Sequence, residues 1–345
     1  MSEVHARMSE VHDGLPVAVD AMGGDRAPGE IVAGACQAAA ELSIPVLLIG
    51  EPSAIAPAAG QPGVELMAAS ESISMDEDPG RAVRTKRDSS LVRCAEVVHE
   101  GRACAMVSAG NTGAAMASAL LRMGRVHGVQ RPAIAAVIPV PGSTPTILID
   151  SGANVDCTPS MLVQFAQMGW ALATERLGMA EPRVGLLSIG EEASKGNSIV
   201  KEAHALLADG AAGPDVRFMG NVEGRDVMSD RVDVVVTDGF TGNVVLKTLE
   251  GAVKAVVGGV LSALTASDEV KAAAKQVMPA LVPLAEQMDP DTTGGAVLLG
   301  VNGVCVISHG SSGARAIFNA VKVAHHAAAD KLVARLEAAV ASGRD

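Results

Sequence analysis

Val232-Asp233-Val234-Val235-Val236-Thr237-Asp238-Gly239-Phe240-Thr241-Gly242-Asn243-Val244-Val245-Leu246-Lys247 is the stretch on which the fold turns. A β-branched run passes into a polar loop punctuated by glycine, and the residues that follow resume with the apolar spacing of a helix. In that order of strand, loop and helix start, unpaired backbone N–H groups face outward, and an anion of phosphate size is their natural partner.

The same grammar recurs on both sides of this stretch. Residues 17–20 run into Ala21-Met22-Gly23-Gly24-Asp25-Arg26-Ala27-Pro28 and a helix expected over 29–42, with Pro28 well placed at its start. Residues 105–107 lead into Ser108-Ala109-Gly110-Asn111-Thr112-Gly113, and 146–149 into Asp150-Ser151-Gly152-Ala153-Asn154. Residues 184–188 precede a glycine-bracketed loop containing Lys195 and Asn197, and 304–307 precede Ser308-His309-Gly310-Ser311-Ser312-Gly313. Strands alternating with helices imply a three-layer α/β/α fold with a mostly parallel sheet. In such sheets ligands sit beyond the carboxyl ends of the strands, so the six loops are expected to converge on one crevice.

Composition narrows the function. The 345 residues are 48% hydrophobic, enough for a sizeable core, but only 1% aromatic, with Trp170 the sole tryptophan and no tyrosine. Base-stacking platforms have little to be built from. The formal charge of −12 opposes nucleic acid and anionic lipid alike. Five cysteines without a C-x-x-C pair read as free thiols in a reducing cytoplasm. No run approaches the ~18 apolar residues of a membrane span.

Met-Ser-Glu-Val-His occurs twice within the first twelve residues, so residues 1–14 are set aside as a tail and 15–345 are taken as a single domain. Residues 52–63 read as a surface loop. Within 251–291, Val253, Val256, Val257, Val260, Leu261 and Leu264 fall on one helical face, and a second helix is expected to end at Pro279. This segment reads as a helical protrusion, suited to a subunit interface or to contact with a membrane surface.

The loops contain no Gly-x-Gly-x-x-Gly after the first strand, no Walker pattern and no Gly-x-Ser-x-Gly elbow. They offer Asn111, Thr112, Asn154, Lys195, Asn197, Asn221, Thr241, Asn243, His309 and Ser311, donors suited to holding an oxyanion. Asp25 and Asp238 read equally well as helix caps, and His309 as a histidine bonded to backbone. Arg81, Arg84, Lys86, Arg87 and Arg93 reverse the local sign of an acidic chain, which suits a solvated face or an acidic partner.

The ordered set Val19-Asp20-Ala21-Met22-Gly23-Gly24-Asp25, Ser108 to Gly113, Arg131-Pro132-Ala133, Asp150 to Asn154, Lys195-Gly196-Asn197, Gly220-Asn221-Val222-Glu223-Gly224-Arg225-Asp226 and Thr237 to Asn243 resembles the bacterial PlsX family of phosphate acyltransferases. The resemblance runs from about residue 16 to 330. It implies a fold similar to phosphotransacetylases and isocitrate-dehydrogenase-like proteins, and transfer of a fatty acyl group from acyl carrier protein to inorganic phosphate for phospholipid synthesis. It further implies a cytoplasmic homodimer loosely associated with the membrane, with no cofactor and no metal. By motif, Lys195 and Asn243 are the expected catalytic positions, and Asp25, Asn111, Thr112, Asn154, Asn197, Asn221, Thr241, His309 and Ser311 the expected phosphate-binding set. Arg81, Arg84, Lys86 and Arg87 become the expected dock for the carrier protein. The alternatives are a phosphotransacetylase using acyl-CoA, an NAD-dependent hydroxyacid dehydrogenase of related fold with a metal-ligating aspartate cluster, and a phosphoanion-binding regulator.

Overall fold

A computed structural model of the chain describes residues 14–343, so most of the proposed tail lies outside the described residues. Eleven strands form one sheet: β1 (Val17–Asp20), β2 (Val46–Gly50), β3 (Val64–Ala68), β4 (Ala105–Ser108), β5 (Ala133–Ile138), β6 (Thr146–Ile149), β7 (Arg183–Leu187), β8 (Arg217–Val222), β9 (Val234–Val236), β10 (Ala296–Leu299) and β11 (Val304–Ile307). The helices of seven residues or more are α1 (Gly29–Leu42), α2 (Pro79–Thr85), α3 (Ser90–His99), α4 (Thr112–Arg122), α5 (Pro159–Leu177), α6 (Ser198–Ala208), α7 (Gly239–Leu264), α8 (Asp268–Met288), α9 (Ala314–Ala329) and α10 (Leu332–Ser342).

Successive residues of the central strands face opposite sides, and both sides are covered. Val17 and Val19 enter one core with Ile147, Ile149, Val234 and Val236, beneath α1, α5 and α9. Ala18 joins α3 and α4 on the other side, where Leu148 and Val235 meet the first turns of α7. Burial on both faces is why these strands read as unbroken apolar runs. The expected loop at 52–63 instead contains short helical turns at Pro52–Ile55 and Ala56–Ala58.

The strand order is β3-β2-β1-β4-β11-β10-β5-β6-β9-β7-β8. Strand β10 is antiparallel to β11 and to β5, and β5 is antiparallel to β6. The block from β3 to β11 therefore runs one way and the block from β6 to β8 the other. This corrects the expectation of six loops at one carboxyl edge, which assumed a single strand direction. Loops after β1, β4 and β11 open at one edge, and loops after β6, β7 and β9 at the opposite one.

Helix α7 links the two groups. It starts in the β9 loop and continues unbroken through the first half of the expected protrusion. Its 26 residues span about 39 Å at 1.5 Å each. Helix α8 continues through Pro279, where a stop was expected, and through Pro283 as well. The two prolines are four residues apart, on one exposed face, where water can satisfy the carbonyls that each leaves unpaired.

Candidate active site

The edge after β6 is organised by Asp150, which is fully buried. Its Oδ1 accepts from the backbone N–H groups of Ile134, Gly152 and Ala153 at 3.0, 3.1 and 2.9 Å. Its Oδ2 accepts from the Asn154 N–H at 2.8 Å and from Asn154 Nδ2 at 2.9 Å. Burial pushes the Asp150 carboxyl above the usual carboxylate range, and these donors oppose the shift. Asn154 also donates to the Pro132 carbonyl at 2.8 Å, so its amide serves the scaffold.

Helix α7 begins against this loop. Asp238 caps it, accepting from the Thr241 N–H at 2.8 Å and from Thr241 Oγ1 at 2.9 Å. The Gly239 N–H donates to the Asn154 carbonyl at 2.7 Å. A Cβ on Gly242 would lie 1.9 Å from the Asp150 carbonyl oxygen, so only glycine allows this approach. One residue later, Asn243 is exposed, and its Nδ2 donates to the Ser151 carbonyl over 3.3 Å.

Lys195 lies in the loop from β7 to α6. It is exposed and makes no ion pair among the described residues. A Cβ on Gly190 would lie 2.8 Å from the lysine stem, so that glycine lets the side chain lie across the loop. Asn197 is committed as the cap of α6, accepting from the Val200 N–H at 2.9 Å. Asn221 is 1% exposed and donates to the Glu192 carbonyl at 2.9 Å, so it braces the lysine loop from below.

At the opposite edge Asp20 plays the part of Asp150. It accepts from Ser90 Oγ at 2.6 Å, Ser108 Oγ at 2.7 Å and the Met22 N–H at 3.3 Å, and burial raises its pKa. Asn111 caps α4 through the Ala114 N–H at 3.1 Å and donates to the carbonyls of Met75 and Glu77 at 2.9 and 3.2 Å. Thr112 is exposed in the first turn of α4. Asp25 donates its N–H to the Gly310 carbonyl at 2.7 Å. His309 Nδ1 lies 2.8 Å from Ser311 Oγ, and its Nε2 lies 4.0 Å from Glu250 of α7. Lys247, one turn before, pairs with the same Glu250 at 2.8 Å. Asn243 and Glu250 are seven residues apart, about 10 Å along the helix, so α7 forms a wall between the two groups.

Asn154, Asn111 and Thr241 thus spend their side-chain bonds inside the protein, Asn197 spends its Oδ1 on a cap and Asn221 its Nδ2 on the lysine loop, whereas Lys195 and Asn243 are exposed. Asp20 and Asp150, which organise the two edges, were not among the expected site residues. Their signal was an acid at the end of a short, mostly apolar strand, directly before a glycine-containing loop. Of the basic cluster, Lys86 pairs with Glu77 at 2.6 Å, and Arg93 lies 3.0 Å from Asp88 and 3.1 Å from Glu96. Arg81, Arg84 and Arg87 are exposed without ion pairs among the described residues. Beside the Asp150 edge is a cavity of about 280 Å³, with Asn197, Thr237, Asp238 and Thr241 among its polar lining.

The sequence matches the model of a family described as fatty acid synthesis protein over residues 15–335. It is 47% identical over 330 residues to a phosphate acyltransferase of Heliobacterium modesticaldum, covering 94% of this chain and 97% of that protein. It is 45% identical over 326 residues to a phosphate acyltransferase of Geobacillus thermodenitrificans, covering 94% and 98%. Among solved structures, a phosphotransacetylase from Streptococcus pyogenes superposes with a TM-score of 0.61 at 16% identity, covering 95% of this chain and 99% of that one. A 4-hydroxythreonine-4-phosphate dehydrogenase from Klebsiella pneumoniae gives 0.52 at 14% identity, covering 91% and 100%. These last two likenesses establish the fold, shared by transferases and dehydrogenases. The near full-length identity decides between the two chemistries: the chain belongs to the phosphate acyltransferase family of fatty acid synthesis proteins, and is an acyltransferase.

Proposed function

We propose that the protein transfers a fatty acyl group from acyl carrier protein to inorganic phosphate, at the edge carrying Lys195 and Asn243. The observation that carries this reading is the contrast in side-chain use: Asn154 and Asn221 are committed to the scaffold, while Lys195 is exposed without an ion pair among the described residues and the exposed Asn243 spends one bond, from Nδ2 to the Ser151 carbonyl. Phosphate is already substantially dianionic at neutral pH and the departing thiol has a pKa of about 8.5, so the reaction needs neither a strong base nor a strong acid.

Lys195 holds the phosphate and offsets its charge. A phosphate oxygen attacks the thioester carbonyl carbon, a C–O bond forms and the tetrahedral oxyanion accepts from Asn243 Nδ2. Collapse breaks the C–S bond, and the thiolate leaves to be protonated by water. Stabilising that oxyanion is the costly step, and a preorganised donor is worth ~3 to 4 kcal/mol there. Asp25, Thr112, His309 and Ser311, on the far side of α7, are left as secondary contacts to phosphate or carrier.

The carrier protein docks on the exposed Arg81, Arg84 and Arg87, which carry unpaired positive charge on an acidic chain. The α7–α8 hairpin is the dimer contact and a peripheral membrane contact. It exposes Val256, Val260, Leu261, Val277 and Leu284, and no helix among the described residues is long and apolar enough to cross a membrane.

Phosphate-dependent acyl phosphate, trapped with hydroxylamine, is expected from wild type and to be lost in Lys195→Ala. Equal hydroxamate from both would remove Lys195 from the mechanism. Faster turnover of acyl-CoA than of acyl carrier protein would replace the carrier assignment. Double charge reversal at Arg84 and Arg87 should raise the KM for the carrier, and Leu261→Glu should weaken dimerisation or sedimentation with vesicles.

A further inference from the structure

We propose that the cavity of about 280 Å³ between α5, β7, α6 and the start of α7 is the subsite that receives the acyl chain of the substrate. This deepens the acyl-transfer reading and rests on it. The lining holds an apolar set and a polar set. Leu162 and Leu186, both buried, stand in the first with Cys157, Leu187, Ile199 and Val200. Asn197, Thr237, Asp238 and Thr241, from the loops that carry Lys195 and Asn243, make the second. Val155 and Phe240 also line the cavity and are 66% and 62% exposed, the kind of apolar surface that a chain entering it would cover.

A ligand matching this polarity carries its reacting polar group against the polar set and a saturated chain along the apolar set. The charged residues lining the cavity are Asp156 and Asp238, with no lysine or arginine among them. Burial and the nearby acids Asp150, Asp238 and Asp156 push the Cys157 thiol up to about 12, so at neutral pH the wall it forms stays uncharged. The volume is near the lower end of ligand pockets, and each methylene buried in it would strengthen binding about fourfold.

Ile199 is half-buried in the first turn of α6, so replacing it changes the cavity with little disturbance to the core. The test compares kcat/KM for octanoyl- and palmitoyl-acyl carrier protein. In Ile199→Trp the palmitoyl-to-octanoyl ratio is expected to fall about tenfold or more, and in Ile199→Ala to stay level or rise. An unchanged ratio in Ile199→Trp overturns the proposal. Should that variant not fold, Ile199→Cys, a smaller side chain at the same half-buried position, answers through alkylation of the thiol placed there, followed by peptide mass. Palmitoyl-acyl carrier protein should slow alkylation about tenfold, and the holo carrier without an acyl group should not. Equal protection by both would assign the cavity to the carrier's thiol arm and overturn the proposal. Absence of acyl phosphate from every donor with wild type would instead sink the transfer reading, while the alkylation result would still decide who occupies the cavity.

Discussion

Ser108-Ala109-Gly110-Asn111-Thr112-Gly113 and Thr237-Asp238-Gly239-Phe240-Thr241-Gly242 share glycine, threonine and glycine at the same spacing, and each joins a central strand to a helix. Each lies near a buried aspartate, Asp20 in one case and Asp150 in the other. Beyond that the two diverge. In the first, Asn111 gives all its bonds to its own helix and to the carbonyls of Met75 and Glu77, and the residue after the motif is the buried Ala114. In the second the capping falls to Asp238, which frees the next positions, so Phe240 and Asn243 face outward. The same backbone device is thus closed at one edge and open at the other, and only side-chain use tells them apart.

The largest test of this contrast is Lys195→Ala. Loss of one transition-state donor should lower kcat/KM for acyl phosphate about 100- to 1,000-fold, and Asn243→Ala should approach the same range. Because both side chains are exposed, the denaturation midpoint should hardly move in either. Full activity in both variants would mean that the open edge is not the reacting one.

Asp150→Asn should act on the scaffold. The amide nitrogen would face donors already aimed at that position, leaving at least one buried N–H unpaired, and ~3 kcal/mol of stability should be lost on urea unfolding. Asn111→Ala should cost less, ~2 kcal/mol, through a lost cap and two lost side-chain bonds, with turnover nearly intact. A large loss of activity in Asn111→Ala, with stability kept, would show that the closed edge reacts as well.

The smallest expected effect concerns acid. Its bond with Lys86, reinforced by the Ser74 N–H, holds the Glu77 carboxyl down to about 2. A depressed pKa contributes stability above the unfolded value of 4.5 and loses it as pH falls toward 2. Amide exchange across residues 72–88 should therefore quicken, relative to intrinsic rates, over that window. Asp20 and Asp150 have the opposite sign: their raised values weaken the fold as pH rises above 3.8 through the folded pKa. Exchange near them should not follow the strap at 72–88.

Seven of the strands and the layers were legible because burial on both faces leaves a plain signal, with Val17–Asp20, Thr146–Ile149 and Val304–Ile307 read to the residue, whereas β3, β5, β8 and β10 were not anticipated. The reversal of direction at β10 and β5 was not legible, since 296–299 and 133–138 carry no mark of which way they run. Helix α8 was cut short because proline is read as a stop, whereas an exposed face lets water take the freed carbonyls. The motif positions fall on loops and helix starts, but motif alone could not separate a donor aimed at solvent from one spent on a neighbouring carbonyl. Asn197 and Asn221 show the gap: both stand in the lysine's neighbourhood, yet one ends a loop and the other supports it.

Helix α7 has a mechanical consequence. It is a rod clamped at its root by the Gly242 contact with the Asp150 loop and exposed along most of its outer length. A small tilt about that clamp would move the far end by several ångströms while turning Asn243 only slightly, as a pointer magnifies the motion of its pivot. Whatever grips the tip and favours one tilt must alter affinity at the root by the same factor that the root's ligand alters the grip. Leverage of that kind makes the root and the tip of the helix a single adjustable part.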